Sequence, residues 1–138
     1  MFNTKRRSLR LATVGAVGAA AVVLATVPAF AKGNIDITVT PRTVAVGQTV
    51  KVAAAGSDDA APYLLTCVEE RIDGKGAWRA IECGKLIAAG EDAKVSTSVK
   101  AQHRGTLQFR AVLYGYQGAH DEHPVKERTS AVQTATVR

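Results

Sequence analysis

Hydrophobic and polar residues alternate one by one in several short stretches after residue 34. One such stretch has Ile35, Ile37 and Val39 separated by Asp36 and Thr38. A period of two points successive side chains to opposite faces of a strand, so each stretch predicts a β-strand with one buried and one solvated face. Together with two longer extended runs, these stretches predict seven strands, at residues 35–40, 49–54, 63–72, 77–83, 94–99, 106–113 and 132–136.

Turn-forming residues separate these predicted strands, and no helical period persists between them. Glycine occurs with Asp, Ser, Gln or Arg in segments at residues 46–48, 56–59, 73–76, 89–92 and 103–105. About seven short strands with regular turn signals are typical of a two-sheet fold. We therefore predict an all-β protein, an immunoglobulin-like antiparallel β-sandwich. Residues 85–89 fit either a short strand or one turn of helix.

Several segments resemble known families. The segments ITVTP (residues 37–41), VGQTV (46–50) and GTLQFRA (105–111) resemble secreted bacterial immunoglobulin-like or fibronectin-type-III-like modules. A narrower resemblance, in TVKVAAAG (49–56), a hairpin with two cysteines and STSV (96–99), is to the neocarzinostatin-type apoproteins. Those are small secreted sandwiches that hold an antibiotic chromophore in a cleft, and they carry a second disulfide that this chain lacks.

The beginning of the chain has the composition of a secretory leader. Four basic residues precede residue 11, an uncharged run follows over residues 11–27, and Ala29-Phe30-Ala31 provides the small-x-small pattern of a cleavage site. A run of 17 residues is at the short limit for crossing a bilayer. We predict a signal peptide at residues 1–31 and an exported domain at residues 32–138, without a stable membrane anchor after cleavage.

Removal of the leader changes the charge of the chain. The whole chain has a net charge of +6, but residues 32–138 contain 14 Lys and Arg against 12 Asp and Glu, a net charge of +2. No basic run remains in that part. Binding to nucleic acid, which needs a concentrated positive surface, is therefore not expected.

The two cysteines of the chain flank a turn signal. If a hairpin turn is centred on Lys75, which has glycines on both sides, Cys67 lies opposite Cys83 and Ile72 lies opposite Trp78. Directly opposite residues in an antiparallel pair are close enough for a disulfide. An exported protein meets an oxidising compartment. We therefore predict a structural Cys67–Cys83 disulfide rather than a zinc site, a redox dithiol or a catalytic thiol.

The charged residues of this hairpin suggest a solvated face. Glu69, Glu70, Arg71 and Arg79 are expected to form exposed cross-strand charge pairs, each contributing under about 1 kcal/mol. Trp78 is expected to pack against Ile72.

Residues 114–129 form the longest segment between predicted strands, and long loops often bind partners. They contain Tyr114, Tyr116, His120 and His123, which we take as the candidate binding residues. An ordinary polar loop with Tyr114 packed on a sheet edge is the alternative. In an immunoglobulin-like fold this loop would lie at the opposite end from the hairpin tip at residues 73–76.

Motifs for chemistry are weak in this sequence. His120 and His123 flank two carboxylates, but no second histidine cluster completes a metal sphere, so neither a metal nor a cofactor is expected. There is no G-x-S-x-G elbow and no phosphate-binding glycine loop, so an enzyme is not expected. The sequence indicates a non-catalytic module that binds an extracellular protein, glycan or cell-envelope partner through loops at one end. The alternatives are a carrier of a small hydrophobic molecule and a secreted hydrolase inhibitor.

Overall fold

The computed structural model describes residues 33–138, so the predicted signal peptide lies outside the described residues. Within that part of the chain no helix is long and apolar enough to cross a membrane. Ten β-strands make up the fold: β1 (Gly33–Thr40), β2 (Thr43–Val44), β3 (Thr49–Asp58), β4 (Tyr63–Ile72), β5 (Lys75–Cys83), β6 (Ile87–Ala88), β7 (Ala93–Lys100), β8 (Gly105–Tyr116), β9 (Val125–Thr129) and β10 (Gln133–Val137).

These strands form two sheets that pack face to face. Sheet A has the order β1-β3-β7, and sheet B has the order β2-β10-β8-β4-β5, with β6 beside β4 and β9 beside β8. All pairings are antiparallel except the short one between β2 and β10. The predicted all-β sandwich is confirmed. The sequence did not predict β2 and β9, and it left residues 85–89, which contain β6, open between a short strand and a turn of helix. Two residues are too few to show a period, and β9 carries charges at successive positions.

The core lies between the sheets and follows the alternation seen in the sequence. On β3 the buried side chains are those of Val50, Val52 and Ala54, while the residues between them are exposed. Phe109 and Ala111 of β8 are fully buried in the same cluster. Alanine at positions 54 and 111 places small side chains in this core, which suits close approach of the two sheets.

Thr66 is a polar side chain within this apolar interior. It is fully buried on β4, and among residues 33–138 its Oγ1 has no hydrogen-bond partner. A buried hydroxyl without a partner costs about 1–3 kcal/mol of desolvation. Thr66→Val keeps the shape and removes the hydroxyl, so we expect it to increase the free energy of unfolding by about 1 kcal/mol in urea titrations.

The matched control for this prediction is Thr66→Ser. Serine keeps the hydroxyl and loses the buried methyl group, so the free energy of unfolding should fall by about 1 kcal/mol. A destabilised Thr66→Val variant would show that the hydroxyl is satisfied in solution.

The β4–β5 hairpin confirms the disulfide and corrects its predicted turn. Cys67 lies opposite Cys83, and the two form a disulfide. The turn, however, is formed by Asp73 and Gly74, both with positive φ (51° and 66°), as a tight two-residue hairpin turn requires. Two register shifts lie between the cysteines and the turn, and they allow Cys67 to face Cys83 although the turn is not centred on Lys75. As a result Ile72 lies opposite Lys75 and not opposite Trp78, so the predicted contact with Trp78 is wrong.

An ion pair links the two sheets at the end where β3 terminates. Arg128 of β9 donates a hydrogen bond from Nε to Oδ2 of Asp58, at 2.5 Å, and Asp58 Oδ1 accepts one from the backbone N–H of Ala60 at 2.8 Å. Burial by itself raises the pKa of Asp58. The hydrogen bond from Arg128, the bond from Ala60 and the positive charge of Arg128 outweigh burial and lower this pKa below its ordinary value.

This lowered pKa predicts a pH dependence of stability. Because folded Asp58 binds its proton less tightly than unfolded Asp58, its contribution is complete above the unfolded pKa of about 3.9 and is lost as the pH falls through the folded pKa. Asp58→Asn should therefore be less stable than the wild type at pH 6, and the difference should shrink below about pH 4. Thermal unfolding of both proteins from pH 2 to pH 7 measures it. Asp59→Asn, at the exposed neighbouring position, is the control. A gap that stays constant with pH would contradict the linkage.

Candidate functional site

The predicted binding loop is shorter than the sequence suggested. Strand β8 continues through Tyr114 and Tyr116, and β9 begins at Val125, so the loop comprises only residues 117–124. Strand β9 pairs with residues 112–115 of β8, with one register shift next to Tyr114. The predicted loop over residues 114–129 was therefore too long. Residues 125–129 are mostly charged and do not alternate, so their own sequence did not predict the strand that they form beside β8.

The two histidines remain in this loop, and a carboxylate organises it. His120 and His123 are exposed. Asp121 accepts hydrogen bonds from the backbone N–H groups of Gln117 at 3.0 Å and of His123 at 2.9 Å. These two bonds lower the pKa of the Asp121 carboxyl. Within the described part of the chain, no group of three or more His, Cys, Asp and Glu side chains could hold a metal ion.

The ends of the sandwich are arranged as expected. Tyr63 lies opposite Tyr116 at one end of the β4–β8 pair, and Ile72 lies opposite Leu107 at the other. The segment after Ile72 is the hairpin turn, so the turn and the loop at residues 117–124 lie at opposite ends of the sandwich.

The tyrosines lie together on the outer face of sheet B. Tyr63 is directly opposite Tyr116, and Tyr114, two positions along β8, is opposite Leu65. Side chains two residues apart share a face of a strand. The intervening Leu64 is fully buried in the core, so the three tyrosines point away from it.

A tryptophan and two arginines occupy the same face nearer the hairpin. The guanidinium carbons of Arg71 and Arg110 lie 4.5 and 4.4 Å from the centre of the Trp78 ring. At such distances a guanidinium interacts favourably with the ring. The Arg71 Nε donates to Oε1 of Gln108 at 2.9 Å, and the Arg110 Nε donates to Oε1 of Glu69 at 2.7 Å.

These contacts correct the prediction of a solvated hairpin face. Glu69 and Glu70 are both buried, at 8% and 6% exposure. Glu69 pairs with Arg110 of β8 rather than with a residue of the hairpin. Glu70, which points to the opposite face, pairs with Arg79 at 2.9 Å across the hairpin, so a cross-strand charge pair is present there, but its carboxylate is buried and not exposed as predicted.

We call this surface the aromatic face and define it by Tyr63, Tyr114, Tyr116, Trp78, Arg71 and Arg110. It contains all three tyrosines and the one tryptophan of the chain. Burial raises the pKa of the Tyr114 phenol, and the charge of Glu69 and the neighbouring Tyr116 act in the same direction against the charge of Arg110.

Sequence reasoning found Tyr114 and Tyr116 but missed the other residues of the aromatic face. The available signal was in β4, where apolar side chains occupy both faces, as Leu64 next to Leu65 and Cys67 next to Val68. A strand with one solvated face does not have this pattern.

Comparisons with known proteins support the fold. No protein-family model matches the chain, and no curated protein matches its sequence. Among solved structures, it is similar to the CARDB domain of a Pyrococcus furiosus protein in complex with di-metal ions, with a TM-score of 0.50 and 15% sequence identity over 81% of this chain and 97% of that chain. This similarity shows an immunoglobulin-like β-sandwich.

A second similar structure is the β-glucosidase from Listeria innocua in complex with isofagomine. The match has a TM-score of 0.43 and 16% identity, and it covers 77% of this chain but only 16% of that chain. This chain therefore spans about a sixth of the length of that enzyme.

Proposed function

We propose that this protein is an exported, non-catalytic binding module that recognises an extracellular protein through the aromatic face of sheet B. The observation that carries the proposal is the placement of every tyrosine and the tryptophan of the chain on that one face. Tyrosine, tryptophan and arginine are the residues most enriched among those that dominate the energy of protein interfaces. They supply large contact areas at a small cost in side-chain entropy.

The charges of this face indicate the chemistry of the partner. Arg71, Arg110 and Lys126, which lies opposite Tyr114, contribute three positive charges. Among residues 33–138, Glu69 is the one carboxylate that forms an ion pair with any of the three, and its partner is Arg110. Complementary potentials accelerate association and select partners. The proposed partner therefore presents an acidic surface with apolar groups at its centre.

The disulfide is compatible with the proposed export. Cys67 and Cys83 are both in the bridge, so residues 33–138 contain no free thiol. Disulfides persist in oxidising compartments, which include the outside of the cell. Binding in such a compartment fits a small rigid sandwich in which the contacting side chains stand on strands rather than on loops.

Site-specific photocrosslinking tests this proposal. The protein, expressed from the full chain, would carry p-benzoylphenylalanine at position 63 or 116, and at position 38 on the outer face of sheet A as a control. Incubation with the medium and envelope fraction of the source organism should yield one crosslinked protein from the two aromatic-face positions only. Unlabelled wild type should compete for it.

Two variants test whether this competition depends on the tyrosines of the aromatic face. Tyr63→Ser with Tyr116→Ser should compete at least about tenfold less well than the wild type, because two aromatic contacts are lost. Val46→Ser is the matched control, since Val46 is an exposed apolar residue (47%) on the β2–β3 connection, outside the aromatic face. Equal crosslinking from both sheets, or crosslinking from position 38 alone, would reject the proposal. A captured hydrolase whose activity falls when the wild type is added would identify the module as an inhibitor.

A further inference from the structure

The two sheets leave a cleft between their free edges. Strand β5 is the last strand of sheet B on one side, and β7 is the last strand of sheet A. Residues of both strands line a cleft of about 360 Å³ near the hairpin turn. This volume lies within the range of small-molecule sites, roughly 300–1,000 Å³. The cleft lies between the sheets, so it is separate from the aromatic face.

The cleft combines an apolar lining with a basic rim. Its apolar residues are Ile72, Ile81, Val99 and Leu107, of which Ile81 and Val99 pack against the main core. Three cationic residues, Arg79, Lys100 and Arg104, also line it. Sites for small ligands commonly pair apolar walls with a few polar groups that fix the orientation of the ligand.

The acidic residues of the cleft are already engaged. Glu70 Oε1 accepts a hydrogen bond from Arg79 at 2.9 Å, and the Arg79 side chain remains 71% exposed. Asp73 Oδ1 accepts a hydrogen bond from the backbone N–H of Thr106 at 2.8 Å. Among residues 33–138, neither Lys100 nor Arg104 takes part in an ion pair. The lining therefore has three cationic side chains against two carboxylates, Glu70 and Asp73, which is an excess of one positive charge.

We propose that this cleft binds a small organic anion, a molecule with an apolar body and one carboxylate, sulfonate or phosphate group. The apolar body lies against Ile81, Val99 and Leu107. The anionic group is held at the rim by Lys100 and Arg104, with the outward N–H groups of Arg79 as further donors. Charge-assisted hydrogen bonds of this kind are stronger than neutral ones, and they distinguish the anion from an uncharged analogue.

The test uses two fluorescent probes with the protein expressed from the full chain. One is 8-anilinonaphthalene-1-sulfonate, and the other is N-phenyl-1-naphthylamine, which has the same rings without the sulfonate. The sulfonate probe should bind the folded wild type with a micromolar Kd. Lys100→Gln with Arg104→Gln should weaken this binding at least about tenfold, because two charged donors are removed. The neutral probe should bind both proteins equally.

A control variant separates the rim from the overall charge of the protein. Lys51→Gln with Lys85→Gln makes the same change in net charge at two exposed positions outside both the cleft and the aromatic face, and it should leave the Kd of the sulfonate probe within about twofold of wild type. Amide chemical-shift changes should centre on residues 79–81 and 97–107. No binding by wild type, equal weakening by both double variants, or shift changes elsewhere would overturn the proposal. None of these results bears on crosslinking from the aromatic face.

Discussion

Replacing Cys67 and Cys83 together with alanine is expected to lower the free energy of unfolding by about 3 kcal/mol. The bridge joins residues 16 apart in the sequence. In the chain-entropy model, a crosslink that closes a loop of this length raises the free energy of the unfolded chain by about 3 kcal/mol. No residue of strand β5 is buried, and only Trp78 and Ile81 are half-buried, so the bridge is one of its main attachments to β4. Urea unfolding of both proteins measures the difference.

Chemical reduction provides the control for the disulfide prediction. Wild type kept in reductant should unfold at the same urea concentration as the double alanine variant, within the effect of losing two thiol groups. The m-value should rise slightly in both, because the unfolded chain becomes more extended without the bridge. A loss of less than about 1 kcal/mol would mean that the unfolded chain already holds these strands together.

Arg110→Met is expected to lower the free energy of unfolding by about 2–3 kcal/mol. The side chains of Arg110 and Glu69 are 22% and 10% exposed, so the pair is largely shielded from water. Removal of the arginine leaves the carboxylate of Glu69 buried without its partner, and losses of about 3–5 kcal/mol are typical for fully buried pairs. Partial exposure of Arg110 reduces that figure. Thermal and urea unfolding at pH 7 measure the loss.

Arg71→Met is the matched control for Arg110. Both arginines lie at nearly the same distance from the Trp78 ring, but Arg71 is hydrogen-bonded to the neutral Gln108. The difference between the two variants therefore isolates the pair with Glu69. We expect Arg71→Met to lose under about 1 kcal/mol. Adding Glu69→Gln to Arg110→Met should restore part of the stability, because the unpaired charge is removed. Equal losses in the two arginine variants would show that stacking on Trp78 dominates.

The hairpin shows how far sequence reasoning reached. Glycines at 74 and 76 and the spacing of the cysteines were enough to place Cys67 opposite Cys83, which the structure confirms. They were not enough to locate the turn. Two register shifts between the turn and the bridge restore the predicted pairing at the cysteines, but the pairing predicted for Trp78 is not restored. Such irregularities depend on how β4 is also held by β8, which a local pattern does not contain.

The aromatic face shows the corresponding limit for function. Glu69 and Arg110 are 41 residues apart, and only the pairing of β4 with β8 brings them together. The sequence alone suggested that Tyr114 and Tyr116 matter, but it placed them on a loop. The register of β8 puts them on a strand, beside Tyr63 from a different part of the chain.

Local patterns in the sequence were sufficient to predict the class of fold, the longer strands, the cysteine pair and the two ends of the sandwich. These depend on the period of two and on turn residues, which act over a few neighbouring positions. The folded structure was needed to show which side chains meet, which carboxylates are buried, and where the free edges of two sheets leave a cleft. These features arise from contacts between residues distant in the chain, whose register is set by packing of the whole sandwich.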